Sequence, residues 1–208
     1  MKKKKLRLKK QPFFILIICL LGLFAFSFYQ LIEEHLKVEN DLVSSEVSAY
    51  HDTLTKYAKQ NQIEEYVTLL EAMMMQESGG NGLDPMQSSE CEFNQQYEKK
   101  PNAITEPEYS IQVGVKYFAK CLKKAKVTSL DDKNKIYLAL QGYNYGVGYI
   151  YYVNLHGGKY TYQNAIDFSN KCKQEKNVSV YGDSKYVYHV LRYYQDTSFV
   201  DDWLELYH

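Results

Sequence analysis

The sequence has no acidic residue before Glu33, a single tryptophan, four prolines, and four cysteines in no metal-binding pattern. Seven of its 25 basic residues (Lys2 to Lys5, Arg7, Lys9 and Lys10) crowd the first ten positions. The other 18 face 25 acidic residues, a net of −7. A folded part with that balance lacks the basic face of a nucleic-acid binder, so no nucleic-acid partner is expected. No Cys/His cluster has zinc spacing, and His51, His156 and His189 stand apart with no paired histidines around a glutamate. A metal site is therefore not expected, nor any cofactor. The glycine-rich stretches Gly79 to Gly82 and Gly142 to Gly148 lack a P-loop lysine and a preceding strand, which argues against phosphate binding. Except at Val178 to Tyr181, no stretch alternates at period two, so a sheet is not expected.

What is present is apolar and helical. With 45 % apolar residues, 208 residues suffice for one compact domain and a tail. Phe13 to Tyr29 is apolar but for Gly22 and Ser27, and reaches a membrane-spanning length when Leu31 and Ile32 are added. The upstream cations place the N-terminus in the cytoplasm. A cleaved signal peptide competes, but no small-x-small site follows the run, which favours an uncleaved anchor. The expected organisation is a basic cytoplasmic tail at 1–11, a transmembrane signal-anchor at 12–32, a stalk at 33–47, and an extracytoplasmic folded domain at 48–208. The membrane is thus an expected partner, through the N-terminal helix.

Beyond the stalk the spacing is that of an all-α domain of six or seven helices with no internal repeat. Ser44 or Ser45 can cap a helix carrying Val47, Tyr50, Leu54, Tyr57 and Ala58. Ile63 to Glu77 forms the next, and Gly82 to Pro101 reads as a long irregular loop of the kind that carries function. Thr105 and Glu108 have capping-box spacing before a helix burying Ile111, Val115, Phe118 and Leu122. Asp131 or Asp132 can cap a helix with Ile136, Leu140 and Tyr143 in phase. Val147 to Leu155, Thr161 to Lys173 and Asp183 to Tyr194 complete the set. Among Cys91, Cys121 and Cys172, a Cys91–Cys121 bridge is the favoured pairing, with three unpaired thiols as the alternative.

One carboxylate is chemically distinctive. Ile63, Val67, Leu70, Met73 and Met74 mark an apolar helix face, and Glu77 lies fourteen residues after Ile63, almost four whole turns. An apolar wall and the bare carbonyls of a helix end both raise a carboxyl pKa. An acid kept protonated near neutral pH suits general-acid cleavage of a glycosidic bond. The plain alternative is a partly buried glutamate bonded to nearby backbone.

Three blocks follow in order: Gln76-Glu77-Ser78-Gly79-Gly80, then Asp84-Pro85-Met86-Gln87-Ser88-Ser89-Glu90, then Ala139-Leu140-Gln141-Gly142-Tyr143-Asn144-Tyr145-Gly146. Together they resemble the lysozyme-like superfamily, in particular the goose-type-lysozyme-like and lytic-transglycosylase-like muramidase domains of membrane-anchored wall hydrolases in Gram-positive bacteria and their conjugative elements. The resemblance covers roughly residues 48 to 196. It implies a lysozyme-like helical fold, glycan strands of peptidoglycan as substrate, and Glu77 as proton donor. It implies substrate-binding roles for Ser78, Met86, Gln87, Ser88, Ser89, Tyr143 and Asn144, and for Tyr186 on the late helix. A secretion or conjugation apparatus is a further partner it brings into view. The chain departs from the transglycosylase pattern at Ser89, where a bulky apolar group is usual, and at Tyr145, where a small residue is.

The reaction the resemblance implies begins with Glu77 protonating the leaving oxygen of the β-1,4 bond between N-acetylmuramic acid and N-acetylglucosamine. A hydrolase then needs a second carboxylate to orient water, whereas a lytic transglycosylase lets the sugar's own 6-hydroxyl attack, leaving 1,6-anhydro ends. The loop offers Asp84, Glu90, Glu92 and Glu98. Asp84, just before the Met-Gln pair, is the favoured water-orienting base, with a purely turn-shaping role as its alternative. A non-catalytic wall-binding assembly protein is the rival of another class.

Overall fold

The computed structural model describes residues 22–29 and 42–194. Residues 22–29 are helical, and no helix among the described residues is long and apolar enough to cross a membrane. The basic tail, most of the expected anchor and stalk, and Trp203 lie outside the described residues.

Residues 42–194 form an all-helical unit, with no strand among the described residues. In chain order the helices are α1 (Ser45–Ser48), α2 (His51–Gln60), α3 (Val67–Glu77), α4 (Pro107–Ala125), α5 (Lys133–Tyr145), α6 (Val147–Leu155), α7 (Tyr162–Lys176) and α8 (Tyr186–Leu191). A 3-10 turn, Glu64–Tyr66, leads into α3, so the helix expected from Ile63 begins one turn later. Val178 to Tyr181 is irregular.

The core is the sum of the predicted stripes. Ile111, Val115, Phe118 and Leu122 of α4 are buried against α2 on one side and α5 on the other, where Ile136, Leu140 and Tyr143 turn inward. Helices α3 and α5 both pack on α8, which brings the end of the first acidic block beside the late tyrosine helix. Ser44 caps α1 through Val47 N, and its hydroxyl donates to Gly79 O at 2.9 Å. Val47 is fully buried, so residues assigned to the stalk belong to the helical body.

Two local expectations are corrected. The capping box at Thr105 does not form: Glu106 is the N-cap of α4 and Pro107 takes the first helical position, where its missing N–H costs nothing. Glu108 instead accepts from Lys56 and Tyr57 on α2. The reciprocal capping box occurs at Thr161 and Asn164, at the start of α7. Cys91, Cys121 and Cys172 are all free thiols, with Cys121 sealed in the core and its proton held tightly by burial. Most of the tyrosines are packing residues, as in the ring cluster of Tyr145, Tyr149, Phe168 and Tyr181.

Candidate active site

Helix α3 ends on Glu77, and the chain leaves it through Ser78 and two glycines at positive φ, +64° and +79°. The second has no alternative residue: a Cβ on Gly80 would sit 2.7 Å from the backbone of Glu46 and Val47. Two carbonyls of the last turn, Met74 O and Met75 O, are engaged by the residues that follow the helix. Ser78 N bonds Met74 O, and Gly79 N is shared between Met74 O and Met75 O. Burial is the largest influence on the Glu77 carboxyl. It pushes the carboxyl up from 4.5 to about 7, against the Tyr186 hydroxyl, which donates to Glu77 Oε1 at 2.5 Å and favours the anion. The charges of Asp84 and Asp183 add to the upward push.

The loop that follows is folded around Asp84. Its carboxylate, 2 % exposed, accepts from Ser88 N (2.9 Å), Ser89 N (3.1 Å), Ser89 Oγ (2.5 Å) and Ser110 Oγ (2.6 Å). Both oxygens are thus engaged, which fits the turn-shaping alternative and leaves little room for a water on this carboxylate. Ser88 and Ser89 are correspondingly buried: Ser88 Oγ donates to Ser110 O, and Ser89 Oγ accepts from Ile104 N. Ser78 ties this loop to the helix end by donating to Pro85 O at 2.8 Å. Met86 is fully buried and its carbonyl accepts from Tyr143 Oη at 2.8 Å. Gln87 takes a left-handed backbone, φ +45°, an uncommon state for a non-glycine residue. Its Nε2 donates to Asp84 O and Asn102 Oδ1.

The third block closes the other side. Asn144 Oδ1 accepts from Asp183 N at 2.8 Å, and Gln141 Nε2 donates to Asp183 O at 2.7 Å. These two bonds clip the 182–185 turn onto α5 and so set the start of α8, which carries Tyr186. Asp183 also meets His189 Nδ1 at 2.5 Å. Tyr186 is 2 % exposed and its own proton is held far above the ordinary tyrosine range by burial, so it acts as a donor.

A cavity of about 210 Å³ opens over Glu77, lined also by Gln87, Ser89, Glu90, Pro101, Tyr143 and Asn144. A second, of about 520 Å³, shares Gln87, Glu90, Tyr143 and Asn144 with it and continues past Tyr117, Tyr181 and Lys176. Of the residues named from sequence, Glu77, Gln87, Ser89, Tyr143 and Asn144 line the first cavity and Ser88 the second, while Tyr186 reaches the site through its bond to Glu77. Ser78, Met86 and Asp84 brace the groove from behind. Sequence reasoning missed Ser110, Asp183 and Gly114. Only Gly182-Asp183, a turn signal before an apolar helix, carried a readable mark. A Cβ on Gly114 would sit 2.7 Å from Met86 Cβ and 2.9 Å from Tyr143 Oη, so α4 can pass under the loop only without a side chain there. Among the described residues no group of three His, Cys, Asp or Glu could hold a metal ion.

Comparison with known proteins agrees with this architecture. The family described as Lysozyme-like matches residues 44–200. The bifunctional muramidase/DL-endopeptidase CwlT of Bacillus subtilis (strain 168) is 42 % identical over 151 residues, 73 % of this chain and 42 % of CwlT. The uncharacterized membrane protein YocA of the same strain is 34 % identical over 140 residues, 67 % of this chain and 58 % of YocA. The chain thus spans less than two thirds of the length of either relative. A crystal structure from Staphylococcus aureus, of a protein titled similar to lipoprotein, NLP/P60 family, superposes with a TM-score of 0.62 at 36 % identity, covering 75 % of this chain and 55 % of that one. With the family match running through nearly all of the helical unit, the chain belongs to the lysozyme-like family.

Proposed function

We propose that this chain is a peptidoglycan muramidase, cleaving the β-1,4 bond between N-acetylmuramic acid and N-acetylglucosamine with Glu77 as general acid. The observation that carries the reading is a carboxyl held at about pKa 7 by burial, on the wall of a groove large enough for sugar rings. At neutral pH a large fraction of such a group bears the proton a glycosidic oxygen needs, and it can shed that proton as charge develops. The similarity to CwlT, whose name includes a muramidase activity, supports the same bond chemistry. Tyr186 steadies the carboxylate left after proton transfer. Tyr143 and Gln87 shape the floor, and Asn144, whose oxygen is held by Asp183 N, lines the groove beside them. Asp84 in this reading organises the loop and, by its charge, keeps the proton on Glu77.

The engaged oxygens of Asp84 are also what a lytic transglycosylase would tolerate, since that reaction needs no water base. The proposed setting is a domain tethered by its N-terminal segment outside the membrane, acting on nearby wall glycan. Zymography on cell walls, with wild type and Glu77→Gln, tests the acid. Clearing by the wild type alone is expected, and equal clearing by both proteins would remove Glu77 from the mechanism. Mass spectrometry of the released muropeptides separates the two reactions, because 1,6-anhydro ends from the wild type would replace hydrolysis with transglycosylation.

A further inference from the structure

The muramidase reading leaves open which group activates water, and the groove contains a second carboxylate besides Glu77. Glu90 lines the same cavity of about 210 Å³. Glu77 and Glu90 thus line one space, and an inverting glycosidase seats its water between two carboxyls about 6.5–9.5 Å apart. Glu90 is exposed, and its carboxylate has no hydrogen-bond or ion-pair partner among the described residues, the opposite of Asp84.

Its mounting is nonetheless firm. On the N-terminal side, Ser88 N and Ser89 N are both held by the Asp84 carboxylate. On the C-terminal side, Cys91 N bonds Ser88 O at 3.1 Å, while Asn94 Nδ2 grips Ser89 O at 2.7 Å. A carboxylate with no partner among the described residues, on a braced turn and lining the same cavity as Glu77, is placed as a catalytic base must be.

Resting on the muramidase reading, we infer that Glu90 is the water-activating base of an inverting hydrolysis. Glu77 gives its proton to the leaving O4 as the C1–O4 bond breaks, and that oxygen keeps the bonding electron pair. A water seated on Glu90 forms the new bond to C1 from the opposite face and passes a proton to the Glu90 carboxylate. Glu77 is left as the anion, and exchange of one proton with solvent restores both groups. The β-bond yields an α-configured reducing end.

The test uses the full chain with insoluble peptidoglycan, comparing wild type, Glu90→Gln, Glu90→Ala and Glu77→Gln. Reducing ends, 1,6-anhydro ends and the first-formed anomer are read out, and thermal melts verify that each variant is folded. The expected result is α-reducing ends from the wild type, a fall of about a hundredfold or more for Glu90→Gln, and loss of the acidic limb of its pH profile. Azide, a small anionic nucleophile that needs no deprotonation, is expected to restore turnover to Glu90→Ala and leave an α-glycosyl azide. If Glu90→Gln stays within about threefold of wild type while Glu77→Gln is inactive, the base assignment fails and the muramidase reading stands. Anhydro ends or a β-anomer from the wild type would equally overturn the base. Should Glu77→Gln cleave as well as wild type, the underlying reading falls and takes Glu90 with it.

Discussion

Glu77 and Asp84 lie seven residues apart and are treated in opposite ways by the same fold. Asp84 sits among five donors from Ser88, Ser89 and Ser110, which compensate a buried negative charge. Glu77 receives one hydrogen bond, from Tyr186, and otherwise loses water without replacement. The local density of N–H and O–H groups thus decides how far each carboxyl is compensated for the water it loses, and Glu77, the poorer in donors, holds its proton more tightly. The two regions also depend on each other. Serines folded around Asp84 place a negative charge near Glu77, and that charge discourages a second ionisation beside it.

The comparison breaks most severely at Glu77 itself. Glu77→Gln keeps an oxygen that can accept from Tyr186 but removes the proposed proton donor, and turnover is expected to drop about a thousandfold, roughly 4 kcal/mol of barrier. Stability should move the other way. A carboxyl raised from 4.5 to about 7 on folding favours the native state fully below pH 4.5 and loses that contribution as pH rises through 7. The glutamine variant should therefore gain on wild type across that window, by at most about 3 kcal/mol, and no further above it. Denaturant titrations at pH 4, 6 and 8 measure the gain, and a constant difference across the three would contradict a buried titrating carboxyl.

Asp84→Asn attacks the other side. Its amide sets donor against donor at Ser89 N, and a cost of about 3 kcal/mol is expected. For a domain of this size that is about 10 °C in Tm. Without the Asp84 charge, the alkaline limb of activity should also shift to lower pH, since one cause of the raised Glu77 pKa is gone. Gly114→Ala is milder: it pushes Met86 and the Tyr143 hydroxyl off the helix at about 1–3 kcal/mol, without altering either acid. A thermal melt and an unshifted pH profile would separate packing damage from electrostatic damage.

How much of this was legible in the sequence follows the range of the interactions. Helix faces are local and periodic, so the buried stripes of α4 and α5 and the placement of Glu77 could be read directly. The Asp84 network joins residues 84, 88, 89 and 110, and no spacing rule marks Ser110 as its partner. The two departures from the transglycosylase pattern make sense only in three dimensions. Ser89 supplies a hydroxyl between Asp84 and Ile104 N that an apolar residue could not. Tyr145 finds room because residue 182 is glycine at φ +54°, where a Cβ would lie 2.5 Å from the tyrosine ring. The Thr105 box misled because its spacing is correct while Pro107, one residue later than the box requires, fixes where the helix begins.

The finest adjustment of the contrast is the single hydrogen bond Glu77 does receive. Tyr186→Phe preserves the ring in its buried slot and deletes only the donor to Oε1. That donor favours the anion, so its loss leaves burial and the charges of Asp84 and Asp183 unopposed and raises the carboxyl further above 7. The alkaline limb of the activity profile should move up by about one pH unit. The fall in stability with pH, which follows the folded-state value, should extend to higher pH by the same amount. Turnover below pH 6 should drop only several-fold, because the proposed proton donor remains and what is lost is stabilisation of its carboxylate after transfer. If the limb instead moves down, Tyr186 is holding the protonated acid, and the distinction between a donor-rich Asp84 and a donor-poor Glu77 would have to be redrawn around the neutral form.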